Sequence, residues 1–239
     1  MYGYYFDPTY ILVVVGALLC MWASAKVKST YAKYERVRSR SGITGAEAAA
    51  RILQMSGIHD VQIQHVAGDL TDHYDPKKKV LRLSDTVYGS PSVAAIGVAA
   101  HECGHALQHH VGYAPLKLRS MLVPAANLGS KLGLPLVILG LALGLSFELP
   151  GGGYFSLAQI GIWIFSFAVL FQVVTLPVEF NASGRALKML GDYGIMNGDE
   201  VDDCKHVLGA AALTYVAAAA SSVLQLLRLI LLNNRRRRD

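Results

Sequence analysis

The sequence predicts a mainly α membrane protein in which a small helical unit with a minor β element is carried among three or four transmembrane helices. Composition points there first. In 239 residues, 53% are apolar and only 16% charged, against roughly 25% charged in a typical soluble domain. That excludes a disordered chain, which needs low hydrophobicity and high charge. Four long apolar runs are the second observation. The third is the placement of the basic excess of 22 Lys+Arg over 17 Asp+Glu. Much of it falls in two clusters, 26–40 and 235–238, each beside an apolar run. That suits a membrane surface and not a nucleic acid. The three cysteines, Cys20, Cys103 and Cys204, are too far apart for a CxxC site and too few for a disulfide framework.

A span needs about 20 apolar residues at 1.5 Å each. The first run, Pro8 to Ala25, is read as an uncleaved anchor, residues 1–25. No Lys or Arg precedes it, and Lys26, Lys28, Lys33, Arg36, Arg38 and Arg40 follow, the reverse of a signal peptide. Tyr2, Tyr4, Tyr5, Phe6 and Tyr10 resemble an interfacial aromatic belt. The next runs, Leu132 to Phe147 and Tyr154 to Val178, form a hairpin over 132–178 that turns at Glu148-Leu149-Pro150-Gly-Gly-Gly. The last, Val207 to Leu232, is interrupted by Arg228 and leads into a basic tail, together 207–239. The cations after the first span put that side in the cytosol. A fourth crossing then sends the arginine tail outside, against the same rule, so either the last helix lies at the interface or is re-entrant, or the orientation is reversed.

Residues 26–131 read as a compact segment between spans. Thr44-Gly-Ala-Glu47 is a capping box that opens a helix ending near Gly57. Val61, Ile63 and His65 alternate with glutamines as in a half-buried strand, and Val80 to Ser84 forms a second strand after an Asp75-Pro76 turn. Ser90-Pro91 predicts an N-cap and first helical residue for a helix reaching about His109.

That helix carries His101-Glu102-Cys103-Gly104-His105. At 100° per residue the two histidines lie about 40° apart and one turn along the axis, so both imidazoles can converge on one zinc ion. Glu102 occupies the adjoining sector, where a carboxylate can act as base on a water. A glutamate and two histidines on an otherwise apolar helix are costly to bury without a task. Cys103 sits about 200° from His101 and reads as a packing thiol. His109, about 12 Å from His101 along the axis, cannot share the ion, and His109, His110 and His65 read as structural.

The third ligand is expected to be a carboxylate from another helix. Glu148 falls on the opposite side of the membrane. Asp192, Asp199, Glu200, Asp202 and Asp203 lie in a glycine-containing polar stretch that reads as a solvated loop. Glu179 directly follows the uncharged third run, where it returns to the side of His101 and His105, and heads a stretch, 179–206, of third-ligand helix and loop. A carboxylate at the end of such a run is usually functional; its bland alternative is snorkelling to water or pairing with Arg185.

The N-terminal anchor, LTDHYDPKKKVLRLSDTVYGSPSVAAIGVAAHECGHALQ, LPVEFNASGRAL and LTYVAAA together resemble the YugP-like membrane zinc metallopeptidases over nearly the whole chain. The resemblance implies a multi-pass protein of a bacterial cell membrane with a zincin-like unit and a gluzincin-type site. In it His101, His105 and Glu179 hold Zn2+ and Glu102 is the catalytic base. A more distant similarity is to HtpX-like proteases, whose third-ligand helix carries an Asp four residues after the Glu. This chain has Ser183 there, with Asn181 the nearest polar alternative.

The expected function is a membrane-embedded zinc metalloprotease that hydrolyses peptide bonds of protein or peptide substrates, themselves membrane-associated, with no nucleic acid partner. An extended substrate would pair with Val80 to Ser84 if that strand is an exposed edge. Tyr215, His73 and Arg119 are candidates to stabilise an oxyanion. The alternative is a zinc-binding but proteolytically inactive membrane adaptor, against which Glu102 argues, because a closed structural site has no use for it. A transporter with a chance motif is disfavoured because Glu179 and the histidines fall on one side. A site-2-type intramembrane protease would need histidines within a span and an LDG-like string, and neither is present.

Overall fold

The computed structural model describes residues 7–148 and 154–236. The aromatic cluster at Tyr2, Tyr4, Tyr5 and Phe6, the Leu149-Pro150-Gly turn and Arg237 and Arg238 of the tail lie outside the described residues. In order, the elements are helices α1 (Tyr10–Tyr34) and α2 (Gly45–Met55), strands β1 (Gln62–His65), β2 (His73–Asp75) and β3 (Val80–Leu83), and helices α3 (Asp85–Tyr88), α4 (Val93–His110) and α5 (Ala114–Leu143). Strands β4 (Ser146–Glu148) and β5 (Tyr154–Ser156) then precede helices α6 (Leu157–Asp192) and α7 (Gly198–Arg236). The protein is a mainly α membrane protein with a few short strands: α1, α5, α6 and α7 are each long and apolar enough to cross a bilayer. They leave large apolar side chains such as Trp22, Leu139, Trp163 and Phe167 exposed, a surface suited to lipid and not to water.

The chain divides into two compact units. The first comprises the described parts of Met1–Trp22, Leu118–Leu176 and Tyr215–Asp239; the second comprises Ala23–Lys117 and Pro177–Thr214.

In the first unit, α5 and α6 approach through glycines. A Cβ on Gly133 would stand 2.7 Å from Phe165 Cβ, and one on Gly161 2.6 Å from the Val137 nitrogen. Small residues of this kind let helices pack closely in lipid, where apolar burial supplies little drive. Strands β4 and β5 pair antiparallel, flanking the expected turn. Arg228 does not interrupt α7: its guanidinium reaches Asp7 at 3.4 Å and lies 4.7 Å from the Tyr10 ring centroid, so the charge is partnered within the unit.

In the second unit, α2 opens with the expected capping box, Thr44 Oγ1 accepting from the Glu47 N–H and Glu47 Oε2 from the Thr44 N–H. Its buried face, with Ala48, Ile52 and Leu53, joins Leu81, Leu83, Ile96 and Leu190 in one core. The sheet order is β1-β3-β2, with β1 parallel and β2 antiparallel to β3. Strand β2 was not expected from sequence, being three residues long. It corrects the substrate expectation as well, since β3, which holds Val80 to Leu83, is the central strand and offers no free edge.

Two further boundaries differ from expectation. Helix α4 begins after Ser92, whose hydroxyl accepts from the Ala95 N–H, and not after Ser90. Pro91 stays extended because its carbonyl accepts from Ser39 N–H, while the Val93 N–H donates to Val37. Residues 199–203 are not a loop but the opening turns of α7. The buried Glu200 accepts from the Asn197 and Arg40 N–H groups, and Asp199 pairs with Arg40. Asn197-x-x-Glu200 is a capping pattern, and acids in a first turn complement the helix dipole.

Candidate metal centre

The groups that converge on the centre all belong to the second unit. Helix α4 presents His101 and His105 on one face, as their spacing requires; the rings stand edge to face with centroids 4.8 Å apart. Helix α6 continues unbroken through Pro177 and Gly184, which carries Glu179 onto the same point. Glu179 Oε2 lies 3.3 Å from His101 Nε2 and 3.4 Å from His105 Nε2. The three donor atoms are all within 4.8 Å of one another, and Glu179 is only 3% exposed.

The helices meet closely because the residues at their crossing are small. A Cβ on Gly104 would collide with the carbonyl oxygen of Ala182, and Ala182 is itself fully buried. Glycine at the fourth position of the motif therefore has a packing reason. Further along α4, Gly97 is similarly close to Cys204, whose Sγ would be 3.1 Å from an added Cβ. Cys103 faces away from the histidines, buried against the Ala49 carbonyl, and burial pushes its thiol well above the usual range.

Behind the histidines lies a buried polar network that sequence reading missed. Gln108, fully buried, has its amide nitrogen 2.8 Å from the Val178 carbonyl and 3.0 Å from Asn181 Oδ1. Both are acceptors, so that atom is the NH2 and the other end is Oε1. Oε1 stands 3.1 Å from His105 Nδ1, which is then the protonated nitrogen of the neutral ring, leaving Nε2 as the one able to present a lone pair to an ion. Asn181 also accepts from Arg185 Nε at 2.8 Å, so Arg185 serves the network and not Glu179. On the other side, Ser183 Oγ lies 3.1 Å from His101 Nδ1. The position where HtpX-like proteases carry an Asp thus still reaches a histidine. The one sequence signal for Gln108 is its position three residues after His105, on the same face of α4.

Glu102 is 8% exposed and forms no hydrogen bond or ion pair with the described residues. His105 is pulled two ways. Burial lowers its proton affinity, but hydrogen bonding to Glu179, the charges of Glu102 and Glu179, and the Gln108 contact together raise it above the ordinary imidazole value. The pocket thus favours a positive charge.

His65, His73 and His109 have structural partners. His65 pairs with Asp85 at 2.6 Å and stacks edge-on to Tyr88. Tyr74 has its phenol pushed up to about 12, chiefly by burial and then by the Asp60 and Asp75 charges. It stays protonated, and its hydroxyl hydrogen-bonds His109 Nδ1 at 2.9 Å, tying β2 to α4. His73 is held between the Thr71 carbonyl and Arg82. Tyr215 and Arg119 fall in the first unit.

The donor set fits zinc. Ligands at 2.0–2.1 Å in a tetrahedron stand roughly 3.3 Å apart, which matches both histidine–glutamate spacings. Charge-assisted N–H···O bonds are typically shorter, about 2.7–2.9 Å.

Residues 9–234 match a family described as "Putative neutral zinc metallopeptidase". The chain belongs to this family. It is also 48% identical over 209 residues to a Bacillus subtilis (strain 168) protein named "Putative membrane protease YugP", covering 87% of this chain and 89% of that one. No solved structure matches the chain. Membership of a zinc peptidase family implies zinc as the ion and a protein substrate, and the helices imply a lipid bilayer.

Proposed function

We propose that this member of the neutral zinc metallopeptidase family is a membrane-embedded endopeptidase of the gluzincin type, in which His101, His105 and Glu179 hold the zinc ion and Glu102 is the general base. The observation that carries the reading is the convergence of two imidazole nitrogens from α4 and a carboxylate oxygen from α6 within 4.8 Å, the oxygen at tetrahedral-edge spacing from each nitrogen. Zinc bound there would supply Lewis acidity, lowering the pKa of a water toward about 7 and polarising the scissile carbonyl.

The chain's own residues do the rest. Glu102, buried with no protein partner among the described residues, accepts the proton of the attacking water and returns it to the leaving amine. Gln108 holds His105 in the tautomer whose Nε2 can bind a metal, and Ser183 steadies His101. An extended substrate pairs with a sheet edge. The edges are β1 and β2, and β2 is the one tied to α4 through Tyr74 and His109.

The six cations that follow the first span favour a cytosolic site, since they outnumber the arginines at the other end of the chain. Four crossings then leave the arginine tail outside. Protease digestion of inside-out vesicles should reach residues 26–117; protection there, with attack in right-side-out vesicles, would reverse the orientation.

The deciding experiment is zinc stoichiometry on the detergent-purified protein and its Glu179→Ala variant. About one zinc per chain, lost or weakened in the variant, is expected. Undiminished zinc in Glu179→Ala would remove Glu179 from the ligand set, and no zinc in either after reconstitution would overturn the metalloprotease reading. Glu102→Gln should retain zinc and lose peptide cleavage; cleavage at the unaltered rate would refute its role as base.

A further inference from the structure

Away from the metal centre, the second unit contains a groove of about 730 Å³ between α1 and α7. One wall is the face of α1 that carries Lys26, Thr30 and Lys33, spaced i, i+4, i+7; the other is the face of α7 that carries Asp202, Lys205, His206, Ala210 and Leu213. Three lysines thus face a single carboxylate. Lys33 lies over the Tyr34 ring at 4.6 Å, and Tyr34 is stacked parallel to His206, so this end is framed by packed aromatic rings. The ammonium groups of Lys26 and Lys205 have no ion-pair or hydrogen-bond partner among the described residues.

The groove also changes character along its length. Lys26 is the first charge after the apolar run of α1, and the apolar run of α7 begins directly after His206. The two helices pass the boundary in opposite chain directions. The stacking of Tyr34 on His206 puts the polar ends of both faces together, with Lys26, Ala210 and Leu213 at the end nearer the apolar runs. A free anion has no use for that apolar end. A lipid with a phosphate head and an acyl chain uses both, as basic clusters at the membrane end of a span do.

We propose that this groove binds the headgroup of an anionic phospholipid, the phosphate between Lys26, Lys205 and Lys33 and the start of an acyl chain along Ala210 and Leu213. The site is independent of the metal, and its test needs neither zinc nor a protease substrate. The full-length protein, released from an equimolar mixture of phosphatidylglycerol and phosphatidylcholine of the same chain length, is analysed for retained lipid by native mass spectrometry. Phosphatidylglycerol is expected to be retained preferentially, and Lys26→Gln/Lys205→Gln should reduce that preference about tenfold, an effect of the order expected for two ammonium groups at an anionic surface. The control Lys28→Gln/Lys77→Gln, which removes two exposed lysines outside the groove, should keep it. Equal retention of the two lipids by the unsubstituted protein, or equal loss in the control, would overturn the site. Displacement of phosphatidylglycerol by millimolar inorganic phosphate would reassign it to a soluble anion.

Discussion

Replacing Gln108 by methionine removes one hydrogen-bonding side chain that touches neither the ion nor the substrate, yet the geometry assigns it a measurable effect on the metal. Gln108 Oε1 is the acceptor for His105 Nδ1, and its amide nitrogen donates to Val178 and Asn181. Methionine is of similar length and packs without a cavity, but it leaves Nδ1–H of His105 with no acceptor there and frees the ring to choose the other tautomer. Loss of such a partner typically weakens metal binding 10–100-fold, equivalent to about 1.4–2.7 kcal/mol. Unpairing the buried amide acceptors costs about 1–3 kcal/mol of stability separately. Competition against a chromophoric chelator, in detergent, reads the zinc affinity; a thermal melt of the metal-free protein reads the stability. Gln108→Glu separates the two roles, because a carboxylate still accepts from His105 but cannot donate to Val178 or Asn181. It should keep more zinc affinity than Gln108→Met while losing comparable stability. Zinc affinity within twofold of the unsubstituted protein in a folded Gln108→Met variant would refute the tautomer argument.

Gly104→Val should drive α4 and α6 apart at Ala182 and abolish zinc binding, whereas Gly184→Ala, where an added Cβ meets nothing within 4 Å, should leave zinc binding unchanged; equal zinc content in the two would refute the close-approach reading. Thr44→Ala removes the α2 cap and should cost about 1 kcal/mol in a denaturation measurement. Glu47 is held below the usual carboxylate range, first by the Thr44 N–H and then by the Thr44 side chain. A depressed pKa contributes stability above the ordinary glutamate range that is lost as pH falls through the depressed value. The melting gap between the unsubstituted protein and Glu47→Gln should therefore close on acidification. In the first unit, Gly133→Leu should overpack the α5–α6 contact and lower the melting temperature in detergent by an amount corresponding to about 1–3 kcal/mol.

Much of this was legible in the sequence because the informative signals are local. The α2 capping box, the histidine spacing and the four apolar runs each declare themselves within a turn or a span. Glu179 could be singled out because a carboxylate at the end of a long uncharged run has few explanations. What escaped was set by tertiary contacts. Strand β2 has three residues and exists because β3 offers an edge. Ser92, not Ser90, caps α4 because Pro91 is held extended by residues 37–39. The acids at 199–203 look like a loop by composition, but Glu200 is buried where the Arg40 backbone needs an acceptor. Gln108 has the composition of a surface residue and the position of a core one, and only the proximity of Val178 and Asn181 explains why.

The centre is therefore a property of two helices crossing, not of one motif. His105 and Glu179 lie 74 positions apart in the sequence, and neither sits on a loop that a metal would have to order. Gly104 against Ala182 sets how near the helices come, while the Gln108 bonds to Val178 and Asn181 set how they are rotated, since both acceptors flank Glu179 on α6. The apolar core beneath, with Ile52, Leu83, Ile96 and Leu190, joins the same helices without any contribution from the ligands. On the proposed function such a site is preorganised: the candidate ligands are spaced by protein packing, so binding an ion would cost little ordering. That would set it apart from a structural zinc site in which metal binding is itself the folding free energy. Such a scaffold leaves Glu102 free of structural duty, and a carboxylate that neither binds a ligand nor supports the fold is the group expected to handle a proton.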